Sequence, residues 1–343
     1  MKSGYYCAIV LSSLLAIQAA AQEAGRTDVL SVIQKQTDVK NQGPRNLCTV
    51  FSITALVESL YLINHPGMRD IDLSEEWLHY LYTQTSASGG SSGAYQTTLF
   101  EKIKASGMSD EQYMPYDKNV WTAGSSPLAT QRCAGLTSKS LTRCLMAHHR
   151  PGLLGVSDAE LNNRSSANYD PDFASARASA VESKRQFINS LSGRVVSAEG
   201  ARSRLRRGIP VSVKLKVYFG SWNHSHGDSL GIDRDPSLLA KGIVTYPEAG
   251  SLDEVKSRGD SAIHSVVLVG YDDNVEVTYN KKMTDGSTRT FTRKGVYYFK
   301  NSWGTAKFGN QFKLNGSRIP GFGMIIQDYA NKGEFFAIDV AGN

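Results

Sequence analysis

The chain has 343 residues, of which 41% are hydrophobic and 20% are charged. This apolar fraction supports a folded core, and the length predicts two domains or one large one. The net charge is +6, but the basic residues are scattered. The densest cluster, at Arg202, Arg204, Arg206 and Arg207, comes without a nucleic-acid-binding motif and is interpreted as a solvated helix face. We therefore expect no nucleic-acid partner.

The first 21 residues have the pattern of an export signal. Lys2 precedes an apolar stretch from Ala8 to Ile17, and three small residues ending at Ala21 follow. The stretch is too short to cross a membrane, which takes about 20 apolar residues. We expect cleavage after Ala21, an exported chain that is periplasmic or secreted, and no membrane attachment after cleavage.

The cysteines of the predicted mature chain divide into a pair and a single thiol. Cys133 and Cys144 are 11 residues apart in a loop-like stretch, and an exported chain can form disulfides. They are the natural pair, which leaves Cys48 as a free thiol.

Cys48 stands at the predicted start of a helix. Apolar residues recur after it at helical spacing, and Gly43-Pro44 interrupts any regular structure before it. A thiol in the first turn of a helix lies at the positive end of the helix dipole, which favours the thiolate. The alternative is an inert buried cysteine.

The sequence around Cys48 resembles that of the papain-like cysteine peptidases. Gln42-Gly43 precedes Cys48 at the spacing found in that family, and Val50-Phe51-Ser52 follows it. Further blocks match the family in the same order: LSEE at 73–76, GG at 89–90, YMPY at 113–116, GIPVSV at 208–213, GIV at 242–244, HSVVLVGY at 264–271 and KNSWG at 300–304. Together the matches span 38–314, most of the mature chain.

The resemblance implies a catalytic set. Cys48 is the expected nucleophile, and His264 the base that takes its proton. Asn301 is expected to orient His264, and Trp303 to cover their hydrogen bond. Gln42 is expected to donate a hydrogen bond to the oxyanion together with the backbone N–H of Cys48.

The resemblance also implies a substrate groove and the kinds of partner. Gly89 and Gly90 are expected to pair with the extended substrate, and Ile263 and Ser265 to lie near the specificity pocket. The expected partners are a protein or peptide substrate and a protein inhibitor, and the chain is expected to be a monomer. No metal and no organic cofactor is expected.

The fold implied by the resemblance is α+β with two lobes: a helical lobe and an antiparallel, barrel-like β lobe, with the active site in the cleft between them. We expect one domain at 22–343, with the helical lobe at about 39–117, an enlarged and partly helical insertion at about 118–207, and the β-rich lobe at about 208–343.

Two added elements are predicted from local patterns. Asp170-Pro171 is a good helix start, apolar residues then recur at helical spacing, and Gly193 is the predicted end. Asp285-Gly286 lies between two β-like stretches and predicts a hairpin turn.

Some positions depart from the family pattern. Arg45 replaces the cysteine that usually anchors the nucleophile helix, Thr49 replaces a tryptophan, and Phe308-Gly309 replaces Trp-Gly. Positions 22–47 are too few for the usual inhibitory pro-domain. Three candidates for restraint remain: the short segment Gln22–Asp38, the inserted helix near Asp170–Gly193, and the unfolded state kept during secretion. We expect the inserted helix to restrain access to the cleft, with padding of the surface as the alternative.

Histidines outside the expected triad are interpreted as surface residues. His148 and His149 are expected to be solvent-exposed. His224, His226 and Asp228 have the residue types of metal ligands, but their loop-like surroundings favour a polar surface.

The sequence leaves two other functions open. One is a catalytically silent binding protein of the same fold, against which the intact set of Cys48, His264, Asn301 and Gln42 argues. The other is a different acyl transfer at the same residues, such as transpeptidation or deamidation. It passes through the same acyl-enzyme, so the sequence does not separate it from hydrolysis.

Overall fold

The computed structural model describes residues 25–68, 71–85, 94–260 and 262–341. The predicted export signal at 1–21 and the predicted groove residues Gly89 and Gly90 lie outside the described residues. Within these ranges, no helix is long and apolar enough to cross a membrane.

The helical lobe is built around the helix that begins at Cys48. Its core buries large side chains such as Leu56, Trp77, Tyr80, Leu99 and Phe173. Helix α1 (Val29–Ile33) precedes this lobe and packs in an apolar cluster with Val267 and Val269 of the β lobe. In chain order the helices of the helical lobe and of the insertion are α2 (Cys48–Asn64), α3 (Glu75–Thr83), α4 (Gln96–Ser106), α5 (Pro127–Arg132), α6 (Ser138–Ala147), α7 (Asp158–Leu161) and α8 (Pro171–Gln186).

The β lobe is an open sheet of seven strands in the order β1-β9-β2-β4-β5-β8-β3. All neighbours are antiparallel except β3 and β8. The strands are β1 (Leu191–Val196), β2 (Val211–Lys216), β3 (Ile243–Val244), β4 (Ile263–Lys282), β5 (Thr288–Lys300), β8 (Phe322–Ile326) and β9 (Glu334–Val340), while β6 (Lys313–Leu314) and β7 (Ser317–Arg318) form a separate ribbon. The helices of this lobe are α9 (Ala198–Arg206), α10 (His226–Ser229), α11 (Pro236–Ala240), α12 (Leu252–Arg258) and α13 (Gln327–Ala330).

The start of β4 is buried on both faces, which explains its unbroken apolar sequence. Val266 and Leu268 belong to one apolar cluster, and Val267 and Val269 belong to another. Since successive side chains of a strand point to opposite faces, the two clusters cover the two sides of this part of the sheet.

The long β4–β5 hairpin confirms the predicted turn. Thr278 pairs with Thr292 and Tyr279 with Phe291 on either side of Asp285-Gly286.

The inserted helix starts where predicted but ends earlier. The Asp170 side chain accepts a hydrogen bond from the Phe173 N–H at the start of α8, and the helix ends at Gln186. Gly193 instead lies in β1, opposite Ile338. A Cβ at Gly193 would lie 2.6 Å from the Phe100 ring. The glycine therefore permits close packing of a strand and does not end a helix.

The expectation that His148 and His149 are exposed is wrong, because each is only 2% exposed. His148 stacks on Trp121 with ring centroids 4.1 Å apart. His149 Nδ1 lies 2.7 Å from the Asp170 carboxylate. The structure joins Cys133 and Cys144 in a disulfide, between α5 and α6 rather than in the expected loop. Packing of the insertion onto the helical lobe buries these residues.

Candidate active site

Three elements bring the candidate catalytic residues together. Cys48 is the first residue of α2, His264 is the second residue of β4, and Asn301 directly follows β5. Because β4 and β5 are antiparallel neighbours, the start of one lies beside the end of the other. Thr49 Oγ1 lies 3.0 Å from Ser265 Oγ and ties the first turn of α2 to β4.

The hydrogen bonds around Asn301 define the protonation of His264. The Ser302 backbone N–H donates to Asn301 Oδ1 over 2.8 Å, which identifies that atom as the oxygen. His264 Nε2 lies 2.8 Å from the same oxygen. Nε2 must therefore carry a hydrogen, and in the neutral ring Nδ1 keeps its lone pair. Nδ1 is thus the atom able to take a proton from a nucleophile.

Two tryptophans enclose the His264 ring. Trp303 stacks on it with centroids 4.6 Å apart, and Trp222 meets it edge-on at 5.1 Å. Trp222 was not singled out in the sequence, where nothing distinguishes it from another buried tryptophan. The two rings limit the rotation of His264 and exclude water from its bond to Asn301.

Ser302 also orients Gln42. Its hydroxyl donates to Gln42 Oε1 over 2.7 Å, so Gln42 Nε2 keeps its hydrogens for another acceptor. The Gln42 N–H donates to Ser302 O over 2.9 Å, and the Tyr116 hydroxyl donates to Gln42 O over 2.7 Å. Ser302 lies inside the KNSWG block, but nothing in the sequence indicates that it orients Gln42.

These residues meet at a cavity of about 770 Å³, whose walls include Gln42, Cys48, Ile263, His264 and Trp303. The Cys48 thiol donates a weak hydrogen bond to Ile263 O at 3.9 Å. The cavity therefore gives access to a nucleophile, a base and an amide donor together.

Ser265 lies beside the first turn of α2, and its place near the specificity pocket stays a prediction. Its side chain is 1% exposed and bonded to Thr49, and it is absent from the cavity wall. Because side chains alternate along a strand, Ser265 points away from the side on which His264 lies.

Burial governs the charge state of the thiol and the imidazole. It raises the pKa of the Cys48 thiol, against hydrogen bonds that favour the thiolate. Burial also lowers the pKa of His264 to about 4, although the Asn301 bond acts in the other direction. The helix-start position predicted a thiolate, but loss of hydration outweighs the dipole here. Both groups are neutral at neutral pH.

Arg45 forms a buried network beside the nucleophile. Its guanidinium makes two hydrogen bonds to the Glu76 carboxylate, at 2.5 Å and 2.8 Å. It also donates to the carbonyls of Asp117 (2.6 Å) and Met146 (2.7 Å), and lies over the Tyr116 ring at 4.9 Å. An ion pair thus stands where the family usually has a disulfide, and the insertion supplies one of its acceptors.

The insertion lies away from the cavity. Within the described ranges, no residue of 118–207 contributes to the cavity wall. Helix α8 packs against the helical lobe instead, with Phe173 against Tyr80 at 4.7 Å between ring centroids. The expectation that this helix restrains access is therefore not supported by its position.

The histidine motif at 224–228 is divided among different partners. His224 lines the cavity, so the surface interpretation is wrong for this residue. His226 Nε2 lies 3.5 Å from Asp260, and Asp228 pairs with Arg234. Among the described residues, no group of three or more potential ligands is arranged to hold a metal ion.

Residues 26–224 match the sequence profile of the papain family of cysteine proteases, which is more than half of the chain. The chain belongs to the papain family of cysteine proteases. The predicted family is thereby confirmed. No curated protein sequence matches the chain.

Three solved structures of cysteine proteases match the fold to different degrees. Xylellain, a cysteine protease from Xylella fastidiosa, matches with a TM-score of 0.51 at 15% identity, over 89% of this chain and 83% of that one. The clostridial cysteine protease Cwp84 matches with a TM-score of 0.49 at 17% identity, over 92% of this chain and 58% of that one. Bromelain from Ananas comosus matches with a TM-score of 0.44 at 16% identity, over 92% of this chain and 99% of that one. Together with the family match, the likeness to xylellain confirms the α+β, two-lobed fold class. The TM-scores of the other two structures are too low to support it.

Proposed function

We propose that the protein hydrolyses peptide bonds of proteins through Cys48, His264 and Asn301, with a thioester intermediate. The family profile ends at residue 224, so the assignment of His264 and Asn301 depends on geometry and on the sequence blocks. The observation that carries it is the bond from His264 Nε2 to Asn301 Oδ1. It leaves Nδ1 as the proton acceptor in the cavity that Cys48 also lines.

Acylation begins with transfer of the thiol proton from Cys48 to His264 Nδ1. The sulfur attacks the peptide carbonyl carbon, and the carbonyl oxygen becomes an oxyanion. Gln42 Nε2 and the Cys48 backbone N–H donate to that oxyanion. The carbon–nitrogen bond then breaks, and the leaving amine takes the proton from His264.

Deacylation uses the same groups in reverse. His264 takes a proton from water, the hydroxide attacks the thioester carbon, and the carbon–sulfur bond breaks. The sulfur regains its proton from His264, and the new carboxyl product leaves. Burial raises the pKa of Cys48 and lowers that of His264, which disfavours the thiolate–imidazolium pair in the free protein.

The remaining assignments are proposals from the sequence. We propose that residues 1–21 export the chain, that 22–343 form one peptidase domain, and that Gly89 and Gly90 line the groove for the acyl side of the substrate. We also propose that Ile263 lies near the specificity pocket, since it is 38% exposed and lines the cavity together with Cys48.

The test is digestion of a diverse peptide mixture by the mature chain, with products identified by mass spectrometry. We expect cleavage at preferred sites, lost in Cys48→Ala. Peptides that remain intact, with correctly folded protein, would overturn the proposal. Ligated peptides or deamidated side chains in place of cleavage products would instead show another acyl transfer.

A further inference from the structure

Hydrogen-bond donors continue the cavity beyond Trp303. His224 and Lys307 line the same cavity as Cys48 and His264. The His224 and Trp303 rings lie 5.6 Å apart, and Lys307 follows Trp303 by four positions in one loop. Both side chains therefore line the cavity, and His224 does so directly beside Trp303.

The chemistry of the proposed reaction tells which half of a substrate reaches these residues. The leaving amine must lie beside His264, because His264 gives it a proton. Trp303 covers the His264 ring, so the residues that follow the scissile bond run along Trp303. This inference rests on the proposed function.

His224 presents a donor and no acceptor. Its Nδ1 accepts the His226 backbone N–H at 3.2 Å, so Nε2 carries the hydrogen of the neutral ring. Nε2 has no hydrogen-bond partner in the part of the chain that is described. Burial lowers the pKa of His224, and nearby His226 and Arg234 lower it further.

Among the cations of the cavity wall, Lys307 is the one without an ion pair in the part of the chain that the structure describes. The cavity wall also contains Arg234 and Asp260, but Arg234 pairs with Asp228. Asp260 accepts the Ala262 N–H at 2.9 Å and lies 3.5 Å from His226. Lys307 is exposed, and no carboxylate within residues 25–68, 71–85, 94–260 or 262–341 forms an ion pair with it.

We propose that Lys307 and His224 form a subsite for a carboxylate on the leaving-group side of the substrate. The ammonium supplies charge, and the imidazole N–H supplies a directed hydrogen bond. Two sources have this chemistry: an acidic side chain shortly after the scissile bond, and the C-terminal carboxylate of a substrate cleaved close to its end.

Two peptide series with one common acyl half separate the sources. The first carries Glu or Gln at the first or second position after the scissile bond, within a longer chain. The second ends two residues after that bond in a free carboxylate or an amide. We expect the carboxylate member of at least one series to show a kcat/KM about threefold to tenfold higher, decreasing with salt.

Variants of Lys307 and His224 test whether these residues cause the preference for a carboxylate. Lys307→Gln should remove most of the preference and Lys307→Glu should reverse it, while His224→Phe, which keeps a ring beside Trp303, should reduce it. The matched control is Lys139→Gln, at an exposed lysine of α6 outside the cavity wall. It should leave the preference unchanged.

Binding to the Cys48→Ala protein, followed by fluorescence anisotropy of labelled peptides, separates recognition from catalysis. Tighter binding of the carboxylate peptides supports the subsite even if no peptide is cleaved, in which case only the proposed function fails. Cleavage without any carboxylate preference, or a preference unchanged in Lys307→Gln, would overturn the subsite and leave the proposed function intact.

Discussion

Two clusters of buried polar side chains meet the loop that leads into α2, and they differ in how their charges are balanced. The catalytic cluster consists of Gln42, Cys48, His264, Asn301 and Ser302. Single hydrogen bonds join its neutral groups: His264 to Asn301 and Ser302 to Gln42. Its thiol and imidazole remain uncharged because burial acts on both.

The arginine cluster consists of Arg45, Glu76, Tyr116 and His148, together with the carbonyls of Asp117 and Met146. It holds full charges, and the Arg45–Glu76 pair is nearly inaccessible, with side chains 4% and 2% exposed. Burial of charges is tolerated only where partners satisfy them. Here a bidentate carboxylate and two carbonyls do so.

The two clusters therefore have different roles at the loop that leads into α2. The arginine cluster has its partners within the protein, so it fixes the loop between Gln42 and Cys48. The catalytic cluster lines the cavity and keeps hydrogen-bonding capacity for a substrate, at Gln42 Nε2 and His264 Nδ1. Tyr116 connects the two, since its ring lies under Arg45 and its hydroxyl binds Gln42 O.

The largest effect is expected at the nucleophile. Cys48→Ala should lower kcat/KM for peptide cleavage by at least on the order of 10⁴, with little change in stability. The thiol-directed epoxide E-64 should label the native chain at Cys48, as read by peptide mapping. Residual cleavage near the native rate, or labelling elsewhere, would show that the catalytic cluster is assigned to the wrong residues.

The second effect tests the arginine cluster. Arg45→Met leaves the Glu76 carboxylate buried without its cation, and should cost about 3–5 kcal/mol in the free energy of unfolding. Urea denaturation followed by fluorescence measures it. The double variant Arg45→Met/Glu76→Leu should recover much of this loss, because no charge is then left unpaired.

The matched control is Arg185→Met on α8. Arg185 pairs with Glu182, but both side chains are largely exposed, at 74% and 49%. The same substitution should leave the unfolding free energy nearly unchanged. If Arg45→Met is equally harmless, the cluster does not hold the loop.

The catalytic cluster was largely readable from the sequence. Its residues lie in short blocks of fixed spacing, and the α2 and β4 patterns predict a helix start and a buried strand. The β4–β5 pairing then brings His264 and Asn301 to one edge. Helical periodicity and turn residues also predicted the start of α8 and the turn of the β4–β5 hairpin.

The arginine cluster could not be predicted from the sequence, because its members come from separate segments that share no pattern. Arg45 was noted only as a missing cysteine, and the burial of His148 depends on how the insertion packs on Trp121. The place of Ser265 relative to the specificity pocket stays a prediction, since adjacent strand residues face opposite sides and the resemblance alone does not fix which side meets that pocket.

A third and smaller effect is expected at Ser302. Ser302→Ala removes the hydroxyl that holds Gln42 Oε1 but keeps the N–H that holds Asn301. We expect kcat to fall about tenfold with KM nearly unchanged, against about 10²–10³ for Gln42→Ala, which removes the donor itself.

A double-mutant cycle makes the Ser302 prediction specific. In the Gln42→Ala background, Ser302→Ala should have little further effect on kcat, because the amide that the hydroxyl orients is gone. Additive losses would mean that Ser302 acts through another residue.

The smallest effect is a change in the pH dependence of stability. Burial, followed by the nearby Arg45 charge, lowers the pKa of His148 from 6.5 to about 2, and burial lowers that of His264 to about 4. The unfolded chain binds protons at these histidines below its ordinary pKa of about 6.5, while the folded chain does not. Each histidine therefore stabilises the fold fully above that pH, and this contribution falls as the pH decreases, until the pH reaches the folded pKa.

The pH dependence of the free energy of unfolding shows which histidine causes this loss of stability. Each histidine should contribute up to about 1.4 kcal/mol per pH unit below pH 6.5, measured by urea unfolding at pH values of about 7.5, 6.5 and 5.5. His148→Phe keeps the stack on Trp121 and should reduce the slope by one such contribution. Any strain of a phenylalanine at the positive φ of position 148, 57°, shifts all three values equally and leaves the slope readable. An unchanged slope in His148→Phe would mean that His148 is protonated in the folded chain, and that the Glu76 carboxylate 3.6 Å from its Nδ1 is shared between it and Arg45.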